Sequence, residues 1–392
     1  MAIARTRPYG GPALFSYGFR PFFLFGAIQA AVAMAAWIML LAGRLDTFSH
    51  FAPVDWHIHE MLFGYLAAIV AGFLLTAIPN WTGRLPLNGA PLVALFVAWL
   101  AGRVAIFFSA AIGPLPAAAI DCAFLALLAA AAAREIVAGR NWRNLKVLVP
   151  ILILLTANAL FHAEVAATGP SDFSRRLGIA AAIMLIGIIG GRIIPSFTRN
   201  WLAKRSPHGL PAPFGRFDVA CLALTAVALA CWTVAPESTV VGWLSLAAAG
   251  ANLVRLARWR GDRCAGDVLV AILHLGFLWV PIGLLIAGLA ALMPDRIAPA
   301  AAVHAFGVGA IGTMTLAVMV RATLGHTGRA LAAGWRGSFV FAAILLAAAA
   351  RVAHALFWPS EALLHLSAAA WIAAFLGFAL LFGPFILSPR LK

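Results

Sequence analysis

The chain has 392 residues, of which 64% are hydrophobic and 10% charged, and its mean hydropathy is +0.97. Soluble globular domains carry about 25% charged residues, so this composition excludes a soluble fold and predicts an integral membrane protein. The formal net charge of +15 comes mainly from basic residues between apolar stretches, which is typical of membrane topology and argues against a nucleic-acid partner.

Twelve apolar stretches are long enough to cross a bilayer, because a span needs about 20 residues. The chain is therefore predicted to be an all-α polytopic protein that forms one integral membrane domain over residues 1–392. The predicted spans are 21–42, 58–79, 88–109, 114–133, 147–168, 177–198, 217–235, 239–257, 268–292, 298–322, 337–357 and 361–387.

Basic residues are distributed unevenly between the two sides of the predicted bundle. With a cytoplasmic N-terminus, the arginines that fall in outer segments are Arg44, Arg175, Arg176 and Arg296. Because Lys and Arg concentrate on the cytoplasmic side of membrane proteins, we predict that the N-terminus and the C-terminus are both cytoplasmic.

A segment of the second span recurs in the tenth span, 245 residues later. Each copy begins with a histidine, His59 or His304, and ends in Thr-Gly-Arg at Arg84 or Arg329. The sixth span has a fainter copy, with Arg175 in place of the histidine. Matched spans 2, 6 and 10 predict three weak four-helix repeats, over about 14–134, 146–257 and 267–387.

The two matched histidines are candidate cofactor ligands. Neutral imidazole is well suited to ligate iron or copper from an apolar wall. We therefore predict that His59, His304 or both are axial ligands of a b-type haem near the outer face, with Arg84 and Arg329 as candidate cofactor contacts at the helix ends. The competing interpretation is structural, since polar residues at the start of a span also anchor a helix at the headgroups.

Other histidines are candidates for a second metal, predicted to be copper. The candidate metal ligands are His57, His59, His162, His274, His304 and His326. His57 and His59 point about 200° apart on a helix and would serve separate centres. His304 and His326 are 22 residues apart, or about 33 Å along a helix, and cannot share a metal. A lone histidine in a span is more often a hydrogen-bonded packing residue.

Two acidic residues lie near membrane depth, where an ionised carboxylate is costly. Asp121 is predicted to form a structural ion pair with Arg103 across a short outer loop. Glu60 has no comparable basic partner in the sequence. Beside two histidines, it is predicted to hydrogen-bond a ligand or to deliver protons, and Glu164 is a second candidate for proton delivery from the outer side.

Several long motifs resemble the NnrS family of bacterial haem- and copper-containing membrane proteins. They include residues 56–64, Trp-His-Ile-His-Glu-Met-Leu-Phe-Gly, and residues 325–329, Gly-His-Thr-Gly-Arg. The resemblance runs from about residue 14 to the end of the chain. It implies a twelve-helix protein of the bacterial inner membrane that is made in response to nitric oxide and contains haem and copper.

The predicted function is nitric oxide binding at a haem near the outer face, with reduction to nitrous oxide as the candidate reaction. The predicted partners are nitric oxide, the lipid bilayer and an electron donor, for which a quinol and a cytochrome are both candidates. Two other interpretations stay open: a non-enzymatic nitric oxide sensor or iron-protecting protein, and a twelve-helix secondary transporter without metals.

Overall fold

The computed structural model describes residues 9–205 and 208–391. Every regular element in these ranges is helical, and twelve helices are long and apolar enough to cross a membrane. The predicted all-α, multi-pass fold is confirmed. In chain order the helices are α1 (Phe19–Leu41), α2 (Pro53–Thr82), α3 (Ala90–Phe107), α4 (Pro114–Ala138), α5 (Trp142–Thr168), α6 (Asp172–Leu202), α7 (Arg216–Val234), α8 (Thr239–Arg263), α9 (Val268–Leu292), α10 (Pro299–His326), α11 (Gly334–Leu356) and α12 (Glu361–Leu387).

Some helices are longer than their apolar stretches. Helix α2 begins at Pro53 and ends at Thr82, whereas hydropathy predicts 58–79. Pro53 occupies the first helical turn, where a missing N–H group costs little. Gly83 follows the last turn with a positive φ of 71° and ends the helix in a left-handed conformation.

The chain forms two compact units. The first contains the described residues of 9–178, 322–330 and 375–391, and so holds α1 to α5, the start of α6 and the ends of α10 and α12. Helix α2 is the most enclosed helix of this unit. Helix α1 packs closely against it, because the Phe23 ring lies 2.7 Å from the position of a Cβ at Gly72.

The second unit contains the described residues of 179–321 and 331–374. It holds most of α6 and α10, all of α7, α8, α9 and α11, and the first half of α12. Helix α9 lies against α10, where the sulfur of Met314 is 2.9 Å from the position of a Cβ at Gly276. Small residues therefore allow close helix packing in this unit too.

Helices α2 and α10 each contain a π-helical segment directly after the repeated histidine. Glu60–Leu66 follows His59, and Ala305–Gly312 follows His304. The two segments start 245 residues apart, which is the shift of the sequence repeat. Because π-helical turns are rare and frequent at functional sites, this shared conformation is a second, independent sign that the two segments correspond. The division into three four-helix repeats stays a prediction.

The Thr-Gly-Arg ends of the two copies also have the same local structure. The hydroxyl of Thr82 donates to the carbonyl of Ile78 at 2.9 Å, and that of Thr327 donates to Thr323 at 2.5 Å. Gly83 and Gly328 both have positive φ, 71° and 77°. Glycine adopts this conformation without the steric cost that a Cβ brings, which explains its presence in both copies.

Candidate metal centre

A group of polar side chains is enclosed near the predicted outer ends of α2, α3, α4 and α5, within the first unit. This group is named the outer cluster, and all its members except the partly exposed His162 are buried. Its members are His59, Glu60, Arg103, Asp121, Asn158 and His162.

The positions of these residues in their helices explain why they meet. Arg103 lies one turn before the end of α3, and Asp121 lies two turns after the start of α4. Because the connection between the two helices is short, the two residues lie at a similar depth along them. Asn158 and His162 are four residues apart in α5, a spacing that puts both on one helix face. His59 lies less than two turns from the start of α2, at a similar depth.

Arg103 bridges the two carboxylates of the outer cluster. Its Nη1 atom lies 2.5 Å from Oε1 of Glu60, and its Nη2 atom donates to Oδ1 of Asp121. The predicted pairing of Arg103 with Asp121 is confirmed. The expectation that Glu60 lacks a basic partner is wrong, because one planar guanidinium has enough donors to serve both acids. Gln29 of α1 also donates to Glu60.

Two glycines leave the space that this ion-pair network occupies. A Cβ at Gly64 would stand 2.8 Å from Nη1 of Arg103 and 2.9 Å from Oε2 of Glu60. A Cβ at Gly102 would stand 3.1 Å from Oδ1 of Asp121. A side chain at either position would therefore push the charged groups apart.

Both imidazoles of the outer cluster meet the same carboxylate oxygen. Oδ2 of Asp121 lies 3.1 Å from Nε2 of His59 and 3.2 Å from Nε2 of His162, and it accepts a hydrogen bond of 2.7 Å from Asn158. The second nitrogen of His59, Nδ1, lies 3.3 Å from Oε1 of Glu60. The ring of His59 is thus oriented by a carboxylate at each nitrogen.

The three candidate ligand atoms, from His59, Asp121 and His162, all lie within 4.8 Å of one another. Ligand atoms at about 2.1 Å from a metal, with angles of 90 to 110° between them, are separated by about 3.0 to 3.4 Å. The distances of 3.1 and 3.2 Å from Asp121 to the two imidazoles match this range. The donor set fits a transition metal, since imidazole and carboxylate ligands are common to iron, copper and zinc sites.

Aromatic rings enclose the two imidazoles. The ring centroids of Phe51, Phe63 and Phe161 lie 5.1, 5.2 and 5.3 Å from that of His59. Phe51 also lies 5.2 Å from His162. Such an apolar wall lowers the local dielectric and strengthens the electrostatic interactions inside it.

The charges of the outer cluster do not cancel. Two carboxylates, of Glu60 and Asp121, face one guanidinium, of Arg103. With both imidazoles neutral, the cluster carries one net negative charge. An uncompensated charge away from water is costly, so a proton on an imidazole or a bound cation would stabilise the cluster.

The remaining candidate histidines have other surroundings. His57 stacks on Trp37 of α1, with the ring centroids 4.7 Å apart. His274, in the second unit, lies 2.8 Å from the hydroxyl of Thr198. His326 stacks on Tyr17 at 5.2 Å. The metal-binding roles of these three residues stay predictions.

His304 belongs to the second unit and is held by its own helix. Its Nδ1 atom lies 2.8 Å from the carbonyl oxygen of Ala300. Because a carbonyl oxygen only accepts, Nδ1 is the donor and the lone pair of the ring is on Nε2, the tautomer suited to metal ligation. His59 and His304 lie in different units, and their predicted roles as haem ligands stay predictions.

Glu164 caps the start of α6. Its carboxylate accepts hydrogen bonds from the backbone N–H groups of Phe173 at 2.7 Å and Ser174 at 2.8 Å, and from the Ser174 hydroxyl at 2.5 Å. A carboxylate at a helix N-terminus is stabilised by the unpaired N–H groups there. Its predicted role in proton delivery stays a prediction.

The two matched arginines have different partners. Nε of Arg84 lies 2.6 Å from Oε2 of Glu135 in α4. The guanidinium of Arg329 instead lies over the Phe385 ring of α12, 3.9 Å from its centroid. Their predicted role in cofactor contact stays a prediction.

Sequence reasoning missed Asn158 and Gln29 as members of this network. A signal for Asn158 was present, because it precedes His162 by four residues in an otherwise apolar span. Gln29 is likewise a polar residue inside an apolar span, and such residues usually face the interior of the bundle.

The fold and this cluster define a class, namely polytopic helical membrane proteins with a candidate metal site of histidine and carboxylate ligands inside the bundle. The sequence profile described as NnrS protein matches residues 13–390, nearly the whole chain. The chain belongs to the NnrS family. Membership indicates a membrane protein of the nitric oxide response, in a family known for metal binding. A comparison with curated proteins gave no match.

Proposed function

We propose that this NnrS-family protein acts in the nitric oxide response by binding copper in the outer cluster, and that nitric oxide binds there. The observation that carries the proposal is the convergence of ligand atoms from His59, Asp121 and His162 within 4.8 Å. A copper ion held by these residues would supply a site that binds nitric oxide and exchanges one electron.

The charge of the outer cluster supports uptake of a monovalent cation. Glu60 and Asp121 outweigh Arg103 by one negative charge. A singly charged ion brings the sum to zero, whereas a doubly charged ion leaves one positive charge in an apolar surrounding. We therefore expect this site to bind Cu(I), the reduced ion, more tightly than two histidines and a carboxylate would by their ligand types alone.

The other residues of the outer cluster orient the ligands. When Nε2 of His59 binds a metal, its Nδ1–H group can donate to Glu60, 3.3 Å away, an arrangement that fixes the ring and raises its basicity. Arg103 holds Asp121 in place through their ion pair. The partly exposed His162 gives the site its approach from the predicted outer side.

The proposal assigns the haem to His304 rather than to a pair of His304 and His59. Both ring nitrogens of His59 lie beside carboxylates, whereas Nδ1 of His304 donates to the carbonyl of Ala300, a contact that orients the ring for ligation through Nε2. One turn further along, no described heavy atom outside the helix lies within 4 Å of the position of a Cβ at Gly307. A flat macrocycle can lie against a helix face of this kind.

We further propose that the protein reduces nitric oxide to nitrous oxide. Two molecules of nitric oxide, two protons and two electrons give one molecule of nitrous oxide and one of water. The electrons would come from a quinol or a cytochrome, and Glu60 and Glu164 are the candidates for proton delivery. The alternative is a protein that binds nitric oxide without turnover.

Copper binding by single-residue variants tests the proposed site. Purified protein would be loaded with Cu(I), and its affinity measured by competition with a chromophoric chelator. His162→Gln and Asp121→Asn should weaken copper binding by at least about tenfold, since even outer contacts of a metal site contribute that much. The control is His365→Gln, an exposed histidine of α12. Unchanged affinity in both cluster variants would rule out this site.

Haem binding and turnover are tested separately. The optical spectrum of haem-loaded protein should lose its Soret band in His304→Ala and keep it in His59→Ala. The opposite result would reject the assignment to His304. Nitrous oxide formed with an electron donor would indicate a reductase, and a spectral shift without nitrous oxide would indicate a sensor. Protein without haem or metal, from cells supplied with both, would favour the transporter interpretation.

A further inference from the structure

Three arginines lie together at the predicted cytoplasmic ends of α1, α10 and α12, all within the first unit. These residues, Arg20, Arg329 and Arg390, are named the inner arginine cluster. Arg20 is 3% exposed, and its Nη1 atom donates to the carbonyl oxygens of Ile386 and, at 2.8 Å, Ser388. These two carbonyls lie at the end of α12, four and two residues before Arg390.

Arg329 and Arg390 are brought together by the chain segment after α12. The backbone N–H of Leu391 donates to the carbonyl of Thr327 at 3.0 Å. The side-chain stem of Arg390 lies 3.4 Å from the position of a Cβ at Gly328, next to Arg329. Arg390 is exposed, and Arg329 is partly exposed.

The first unit offers these three arginines no side-chain carboxylate. Its acidic residues are Asp46, Asp55, Glu60, Asp121, Glu135, Glu164 and Asp172. All but Glu135 are predicted on the outer side or belong to the outer cluster. Glu135 already pairs with Arg84 at 2.6 Å and with Arg134 at 2.8 Å. Within the described residues of this unit, the inner arginine cluster is therefore an uncompensated positive charge.

The matched arginines of the two repeat copies differ in their partners. Arg84 and Arg329 occupy the same position of the two copies, yet Arg84 has a carboxylate partner, whereas Arg329 lies over the Phe385 ring and follows Gly328, which adjoins Arg390. Arg329 is partly exposed, and burial lowers the pKa of its guanidinium. An anion from outside the chain would take the place that Glu135 takes in the first copy.

We propose that the inner arginine cluster binds the phosphodiester group of an anionic phospholipid. Arginine forks match phosphate oxygens in pairs, and the cluster lies where α1 begins at Phe19 and where α10 and α12 end at His326 and Leu387. Helix ends of this kind lie at headgroup depth. The cytoplasmic leaflet, on the predicted side of these ends, is the negatively charged one.

The neighbouring apolar side chains favour a lipid over free phosphate. Leu387 and Leu391 are 54% and 52% exposed, and Phe385 forms the surface under the Arg329 guanidinium. Inorganic phosphate would gain nothing from these residues, whereas a lipid would place its glycerol and upper acyl chain against them. This site lies apart from the outer cluster and does not depend on the proposed copper or haem function.

Lipid binding by the whole protein in detergent tests this inference. Delipidated protein would be titrated with phosphatidylglycerol or with phosphatidylcholine of the same acyl chains, and bound lipid counted by native mass spectrometry. Wild-type protein should retain phosphatidylglycerol preferentially. The variant with Arg329→Gln and Arg390→Gln should bind it at least about tenfold more weakly, as expected for the loss of hydrogen bonds to a charged group. The matched control is Arg84→Gln, which should bind it as the wild type does.

Three results would overturn the inference. They are equal retention of the two lipids by the wild type, an equal loss of binding in Arg84→Gln, and full competition by inorganic phosphate at the same concentration, which would indicate a site for free anions. Should the double variant not fold, Arg390→Gln replaces it, since this side chain is exposed. Binding to that variant should be weaker and less sensitive to salt, because one charge fewer contributes an interaction that salt can screen. Unchanged binding would also count against the inference.

Discussion

Arg103 is the residue on which the structure of the outer cluster most depends. Among the described residues it is the one arginine or lysine that contacts both Glu60 and Asp121, and it is 8% exposed. Without it, two carboxylates from different helices would face each other in an apolar surrounding. The cost of leaving buried charges unpaired exceeds the value of an exposed ion pair several-fold.

We predict that Arg103→Gln lowers the free energy of unfolding by about 3–5 kcal/mol, the usual cost of breaking a buried ion pair. The comparison is Arg134→Gln, whose side chain is 67% exposed in its pair with Glu135 and whose loss should cost about 1 kcal/mol or less. The stability of both variants is measured by thermal unfolding in detergent, monitored by size-exclusion chromatography. Equal stability of the two variants would show that Arg103 is not essential to the cluster.

Space around the charged groups is a second residue-level requirement. Gly64→Ala places a Cβ 2.8 Å from the Arg103 guanidinium and should destabilise the protein by about 1–3 kcal/mol, as overpacking does. Gly307→Ala, compared in protein without haem, is the matched control, because it lies in the other π-helical segment and its Cβ meets nothing within 4 Å among the described residues. Its unfolding midpoint should stay near that of the wild type. A similar loss in both variants would implicate the π-helical backbone instead of the ion pairs.

At the scale of helices, hydropathy predicted the membrane-spanning segments, because it measures the length of apolar stretches. All twelve spans follow from apolar length, and the ninth and twelfth have the bounds that the sequence predicted, 268–292 and 361–387. The π-helical segments Glu60–Leu66 and Ala305–Gly312 could not be predicted in this way, because hydropathy measures apolar length and does not report whether the backbone hydrogen bonds span four residues or five. The repeat in the sequence indicated that the two segments match, but not which backbone they share.

Partners within the outer cluster show the same limit. The pair of Arg103 and Asp121 was predictable because a short loop joins their helices, whereas the contact of Arg103 with Glu60 joins α3 to α2 through tertiary packing alone. Asn158 and His162 share a helix face by their spacing, but what that face meets depends on helix packing. Residue types and spacing therefore identify candidate ligands, and only the packed bundle assembles them.

The repeated helix end provides an element-level prediction. Gly83 and Gly328 both have positive φ, so alanine at either should cost about 1 kcal/mol or more. A Cβ at Gly83 meets nothing within 4 Å among the described residues, whereas one at Gly328 stands 2.5 Å from the carbonyl oxygen of Leu391. We expect Gly328→Ala to lower the unfolding midpoint clearly more than Gly83→Ala. Equal effects would mean that the segment after α12 does not pack against this turn in solution.

For the whole molecule, orientation in the membrane connects the two proposals. The members of the outer cluster lie near the same ends of α2 to α5, and the inner arginine cluster lies at the opposite ends predicted for α1, α10 and α12. The excess of basic residues predicts which end faces the cytoplasm. A reversed orientation would place the candidate copper site on the cytoplasmic side and the arginines in the outer leaflet, so both proposals depend on it.

Cysteine labelling in intact cells tests this orientation. We expect Asp46→Cys and Glu361→Cys to react with a membrane-impermeant maleimide, and Arg140→Cys and Lys204→Cys to react only after the membrane is permeabilised. All four positions are exposed. The native thiols contribute little background, because Cys122, Cys221 and Cys231 lie in α4 and α7 and Cys264 is fully buried.

Burial also raises the pKa of the Cys264 thiol. The reactive thiolate forms only above that pKa, so labelling at pH 7 leaves Cys264 protonated, and its reaction should increase only as the pH rises toward the raised value. The wild-type chain, labelled at pH 7 with and without permeabilisation, is therefore the control for background. Labelling of Arg140→Cys and Lys204→Cys in intact cells, with Asp46→Cys and Glu361→Cys protected, would reverse the predicted orientation. The lipid site would then belong to the outer leaflet, where the electrostatic argument for an anionic lipid is weaker.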